Sequence, residues 1–237
     1  MQRYLMKHST VIYFIGMDGS GKSTLSSYLL GELKMRGYDA RRVWWLEGEN
    51  SVLRRLLRVI GGSNLSRFDI SPNKAGTSAQ REQRPLMTKI FTAVYPRLVL
   101  IDYAIFGIRR VWFPKKTAKE RILIFDRYIY DVIFSLCREF DYPPVKRISL
   151  FRRYAKLLPV PDKIFLIEVP PDIAFLRKQE EMTSVEDATA LWQIHQELFR
   201  LVENAFPGKA VIIDNTRDVE IVKNEILEQV LSFVQAG

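Results

Sequence analysis

A three-layer α/β fold, with a five-stranded parallel sheet covered by helices on both faces, is what this sequence predicts. Three observations lead there. Five short apolar runs rich in β-branched and aromatic residues read as strands. Helical patterns separate them, and the first run leads straight into a glycine-rich loop that opens a helix. Strands alternating with helices favour parallel pairing, because crossover helices pack on the faces of the sheet.

The strands are expected at Val11–Ile15, Arg42–Trp45, Ile122–Phe125, Lys163–Val169 and Ala210–Ile213. Lys22 to Met35 is the first helix, and Gly37 just beyond it is a stop signal. Ser51 to Val59 reads as a second helix, ended by Gly61-Gly62. Tyr128–Glu139 and Val145–Leu157 follow the third strand, Pro171–Gln179 and Glu186–Phe206 the fourth, and Val219–Val234 closes the chain. One region breaks the rhythm: about 46–121 reads as an insertion within one domain. It holds the aperiodic stretch Gly61–Gln83 and a helical pattern from Pro85 to about Trp112, which Pro96 should kink or split.

The loop after the first strand carries the chemistry. Gly16-Met17-Asp18-Gly19-Ser20-Gly21-Lys22-Ser23-Thr24 has the Walker A spacing, two glycines five apart and then Lys-Ser, at a strand-to-helix junction. Glycines at Gly16, Gly19 and Gly21 let backbone N–H groups curl around phosphates where a side chain would clash. The helix N-terminus adds its positive dipole. Lys22 is suited to reach the β and γ phosphates, and the Ser23 hydroxyl to ligate Mg²⁺. With the sheet, this predicts a P-loop NTPase sandwich that binds ATP with Mg²⁺, Gly16 to Thr24 forming the cradle.

Two further acidic positions bear on the reaction. Asp18 lies inside the phosphate loop, where a carboxylate repels phosphates unless it faces a substrate hydroxyl or a metal-bound water; its structural alternative is an Asx-type cap. At the end of the third strand stands Asp126-Arg127-Tyr128. A carboxylate there sits at the ligand-binding edge of a parallel sheet. Asp126 can hold Mg²⁺, and Arg127 can clamp a second phosphate with a permanent, bidentate charge.

Composition bounds the partners. The 237 residues carry a formal net charge of +9, which favours anionic ligands. The single cysteine, Cys137, excludes an intramolecular disulfide and fits a reducing, cytoplasmic setting. The apolar stretch Val11–Ile15 is too short for a signal peptide. Leu98–Phe113, the longest apolar segment, is interrupted by Asp102, Arg109 and Arg110 and does not reach a membrane span. His8 and His195 are too isolated for a histidine metal site and receive no role.

With these motifs in view, the chain resembles the thymidylate kinase family of nucleoside monophosphate kinases. The phosphate loop, its Asp included, is similar to that family's. Phe125-Asp126-Arg127-Tyr128 resembles its Asp-Arg-Tyr motif. Pro161–Asp172 is similar to its fourth strand and the turn into the lid, and Val211–Asp214 with Val219-Glu220 to its last strand and helix. The resemblance implies transfer of the ATP γ-phosphoryl to a nucleoside monophosphate, dTMP first among them. It implies that Arg127 binds the acceptor phosphate and that Asp18 contacts the acceptor sugar or the Mg²⁺ shell. It implies a lid at about 171–190 that supplies a catalytic cation, with Arg177 and Lys178 as candidates, and places Arg217 against the adenine. It also implies action on small nucleotides, with no nucleic-acid partner.

The family's Arg-Glu-Pro after the second strand reads Leu46-Glu47-Gly48 here, and Arg81 and Arg84 are the candidate replacements. That departure keeps a kinase acting on another small acceptor as the alternative enzyme reading. A nucleotide-dependent binding protein is the third reading. It draws on the net charge and on the helix Pro85–Trp112, flanked by Arg109, Arg110, Lys115 and Lys116: that stretch either rests weakly on an acidic membrane surface or is buried in a homodimer interface or the core, and the second is the expectation. Trp44 and Trp45 read as packing residues rather than a base-stacking pair.

Overall fold

In the computed structural model, residues 9–43, 97–105, 107–113, 121–139, 142–179 and 182–236 are described. Five strands form one parallel sheet: β1 (Thr10–Ile15), β2 (Asp39–Val43), β3 (Arg121–Phe125), β4 (Lys163–Glu168) and β5 (Ala210–Asp214). Their order is β2-β3-β1-β4-β5. Each of the five predicted strands is present, and every pairing is parallel.

Alternation along the strands builds two cores. Val11, Tyr13, Ile15, Leu123, Phe125 and Leu166 face one side of the sheet, where they pack with Ile133 of α3 (Ile129–Glu139), Phe151 of α4 (Pro144–Tyr154) and Leu198 and Val202 of α6 (Val185–Ala205). Ile12, Phe14, Ile122, Ile124, Phe165 and Ile213 face the other side, against Leu25, Leu29 and Leu33 of α1 (Lys22–Met35) and Val222, Ile226 and Val230 of α7 (Val219–Ala236). A smaller cluster of Met17, Val169, Ala174, Met182 and Ala188 joins the phosphate loop to α5 (Pro171–Arg177) and the start of α6. The strands are apolar on both faces because helices cover both faces.

Helix ends follow local chemistry. Gly37, at φ 85°, ends α1 as the sequence indicates, and the Tyr38 N–H closes on the Leu33 carbonyl at 3.0 Å. Ser184 caps α6 by accepting the Asp187 N–H at 3.3 Å. A further helix, α2, is described over 97–105, and a π-helical turn stands at Ile108–Trp112.

The start of β2 differs from the sequence expectation, and α4 and α5 end earlier than expected, at Tyr154 and Arg177. β2 begins at Asp39, three residues before the apolar run suggests. Pairing sets this start: Asp39 stands opposite Arg121, whose Nε donates to Asp39 Oδ2 at 2.7 Å. A polar pair can extend a strand at the sheet edge without leaving a hydrophobic trace. Trp44, Trp45, Glu47, Arg81, Arg84 and Pro96, the helix predicted at Ser51–Val59 and most of the proposed insertion lie outside the described residues.

Candidate active site

The site forms at the carboxyl ends of the strands, where the chain leaves β1 between β3 and β4. Successive strands are added on opposite sides of β1, so a crevice opens above it. Gly16 follows β1, Asp126 follows β3, Glu168 ends β4 and Asn215 follows β5.

The phosphate loop needs its glycines. Gly19 sits at φ 82°, and a Cβ there would lie 2.5 Å from the Ala174 carbonyl oxygen of α5. Gly21, the N-cap of α1, is left-handed at φ 93°, and a Cβ would collide with the Asn215 side-chain amide. That amide donates to the Ser20 carbonyl at 2.7 Å, so the turn after β5 braces the loop from outside.

Lys22 is almost wholly buried. Its Nζ donates to the Met17 carbonyl at 2.6 Å and lies 3.7 Å from Asp18 Oδ1. Arg127 Nη2 donates to the same Asp18 oxygen at 2.9 Å. The two cations are therefore separated by less than the combined length of those two contacts. Burial lowers the Lys22 ammonium from its usual value, with Asp18 pulling the other way. For Asp18 burial would raise the carboxyl, but Lys22, Arg127 and His195 outweigh it and hold the group below the usual carboxylate value. Asp18 is paired with Lys22 and Arg127, which answers how a carboxylate is tolerated there.

Ser23 and Asp126 also come together: the Ser23 hydroxyl donates to Asp126 Oδ2 at 3.4 Å. Arg177 of α5 donates to the Asn215 carbonyl at 3.3 Å, which ties α5 to the turn after β5. Arg217, on that same turn, is bound to Glu225 and to the Asp214 carbonyl. Among the described residues no group of three or more His, Cys, Asp or Glu side chains gathers to hold a metal.

Comparison with known proteins is decisive for the family. Residues 108–226, just over half of the chain, match the sequence profile of thymidylate kinases. The chain belongs to the thymidylate kinase family. Across 221 residues it is 23% identical to the probable thymidylate kinase of Archaeoglobus fulgidus, covering 92% of this chain and 93% of that protein. It is 23% identical over 230 residues to the thymidylate kinase of Exiguobacterium sp., covering 94% of each. A shorter stretch of 78 residues is 36% identical to the probable thymidylate kinase of Methanosarcina mazei, spanning 32% of this chain and 37% of that protein. Membership makes the chain an ATP-dependent phosphotransferase on a P-loop scaffold.

Sequence reasoning missed three residues of this thymidylate kinase-type site. Asp131, in the first turn of α3, accepts the Tyr128 N–H at 2.7 Å and the Tyr13 hydroxyl at 2.5 Å through one oxygen. It locks the turn that carries Asp126 and Arg127, and burial raises its carboxyl against the pull of Arg127. Its place three residues after Tyr128, at a helix start, was the available signal. His195, given no role above, stands on α6 close enough to help hold the Asp18 carboxyl down. Its neighbour Gln196 donates to Glu168 Oε1 at 2.6 Å. The third residue is Arg42, whose guanidinium donates to Asp126 Oδ2.

Proposed function

We propose that the chain transfers the γ-phosphoryl group of ATP to dTMP, forming dTDP. The observation that carries this reading is the pair of cations sharing Asp18. Lys22 belongs to the donor cradle and Arg127 meets the same Asp18 oxygen, which sets two cations side by side where two phosphoryl groups must be held together. The names of the relatives, thymidylate kinases over nearly the whole chain, supply the acceptor.

Each residue then has a task. Lys22 leaves the Met17 carbonyl for the β and γ phosphates, and Gly16 to Thr24 present their N–H groups to the same anion. Arg127 exchanges Asp18 for the acceptor phosphate. Freed of Arg127, Asp18 takes the acceptor sugar. Arg177 supplies the lid cation, and Arg217 reaches the adenine by releasing Glu225. Ser23 and Asp126 fit Mg²⁺: both are hard oxygen donors, side by side at the phosphate loop, and Mg²⁺ is commonly held by few protein groups plus substrate phosphates. When bound, Mg²⁺ supplies neutralisation of the charge that develops on the phosphate oxygens.

The test is ADP release with Mg²⁺ and ATP against dTMP, dUMP, the other nucleoside monophosphates and thymidine. A response confined to dTMP and dUMP is the expected result. A response to a different acceptor supports the alternative that Leu46-Glu47-Gly48 suggests. Silence across the panel, with ATP still bound and the protein pelleting with acidic vesicles, favours the binding-protein reading.

A homodimer belongs to the same proposal. Leu100, Tyr103 and Val111 turn inward, while Ile101, Ile105, Ile108 and Trp112 are exposed, four apolar side chains at spacings of one helix face. Sedimentation equilibrium should give twice the monomer mass, and Ile105→Arg should shift it toward the monomer. A wild-type monomer at assay concentration rules the dimer out. No helix among the described residues is long and apolar enough to cross a membrane. A cytoplasmic setting goes with nucleotide substrates and with Cys137, a buried thiol that burial pushes up to about 11.

A further inference from the structure

β2 places a charge on a face of the sheet that is otherwise apolar. Ala40 packs there with Leu25, Leu29 and Leu33 of α1, and Arg42, two residues on, projects to the same side. The Arg42 side chain is 13% exposed and that of its partner Asp126 9%. Arg42 Nη2 donates to Asp126 Oδ2, the oxygen that also accepts the Ser23 hydroxyl. Its Nη1 donates to Ser27 Oγ at 2.9 Å, and Ser27 in turn donates to the Ser23 carbonyl at 2.7 Å. One guanidinium is thus joined to both residues that fit Mg²⁺, directly at the carboxylate and through Ser27 at the serine.

A cation in this position does two things. It neutralises a buried carboxylate when no metal is present, which an isolated Asp126 could not sustain cheaply. It also adds fixed positive charge beside the phosphate cradle, from a position that is itself largely screened from water. We propose that Arg42 is a resident cation of the metal site: a positioning residue that fixes Asp126 against Ser23 and carries part of the charge that draws the triphosphate in before Mg²⁺ is added. The proposal rests on the reading of Ser23 and Asp126 as the Mg²⁺ holders.

The experiment reads binding, not turnover. ATP affinity of the full chain is measured by calorimetry in saturating Mg²⁺ and in EDTA, for wild type, Arg42→Met and Arg42→Lys. Arg42→Met should lose on the order of tenfold in ATP affinity in EDTA and much less with Mg²⁺, and Arg42→Lys should recover most of the loss. An equal Mg²⁺-to-EDTA ratio in wild type and Arg42→Met overturns the proposal. Because Arg42→Met leaves Asp126 buried without its partner, a second comparison guards against misfolding: Asp126→Asn alone against Asp126→Asn with Arg42→Met. With Asp126 neutral, the freed guanidinium should make ATP binding in EDTA tighter in the single variant than in the double, and equal affinities again overturn it. The two readings fail differently. Asp126→Asn that leaves the effect of Mg²⁺ on ATP affinity untouched removes the metal reading and this proposal together. Asp126→Asn that abolishes the effect, with no change on altering Arg42, removes the proposal alone.

Discussion

Replacing Lys22 with methionine is expected to remove phosphoryl transfer and leave the protein at least as stable as before. The two halves of that result have one cause. Without nucleotide, Lys22 is an ammonium 7% exposed to solvent, held by one carbonyl at 2.6 Å and one carboxylate at 3.7 Å. Burial of such a charge is only partly offset by its partners, which is why the ammonium sits below its usual value. Methionine has nearly the same length and volume and brings no charge to bury. The groups left behind keep other partners: the Met17 carbonyl still accepts the Ser20 N–H at 3.2 Å, and Asp18 still has Arg127 at 2.9 Å. Nothing buried is orphaned, so the denaturation midpoint should hold or rise. Transfer loses a preorganised charged donor aimed at the moving phosphoryl group, a loss of about 10²–10³-fold in kcat for one such donor. Activity within a few-fold of wild type would remove Lys22 from the mechanism. A large drop in stability would mean that the lysine is a structural pin rather than a charge held in reserve.

How far the sequence could be read depended on whether a feature is local. The conformation of the Gly16–Thr24 loop was legible, because the glycine positions, the helix start and the Lys-Ser pair all lie within nine consecutive residues. The strands were legible from apolar runs on a sheet covered on both sides. Arg42 and Asp131 were not. Arg42 matters because β2 lies beside β3 and brings it to Asp126, 84 residues later, and no local pattern carries that. Its strand was also read too late, so a charge in mid-strand passed for a strand start. Asp131 matters through Tyr13, 118 residues earlier, across the β1–α3 packing. His195 shows the limit of treating isolated residues as idle, since isolation in sequence is not isolation at the crevice. Contacts between distant elements are set by topology, and topology enters a sequence reading only through the motifs that mark it.

Arg127→Ala is expected to separate the two substrates. In the acceptor-free protein the Arg127 side chain is 54% exposed and pairs with an Asp18 that is 42% exposed, so losing the pair should cost at most about 1 kcal/mol of stability. ATP affinity should hardly move, because Lys22 and the loop N–H groups make the donor cradle and Asp18 keeps Lys22. Acceptor binding is another matter. A guanidinium meets a phosphate with two parallel charged hydrogen bonds, stronger than its single contact with Asp18. Losing about 1.5–3 kcal/mol of charged hydrogen bonding raises the acceptor KM on the order of 10–150-fold. An equal loss of ATP and acceptor affinity would place Arg127 on the donor side instead. The exchange of partners has a further consequence that a double-mutant cycle can read. If Arg127 takes the acceptor phosphate as proposed, that phosphate competes with Asp18 for Arg127 in wild type, and the competition hides part of what Arg127 contributes. In an Asp18→Asn background the competitor is gone. Arg127→Ala should therefore cost more acceptor affinity there than in wild type, by up to about fivefold, the worth of one exposed ion pair. Equal losses in both backgrounds would mean that the acceptor arrives with the Asp18–Arg127 pair intact, and that Arg127 then acts on the incoming phosphate through its field rather than by direct contact.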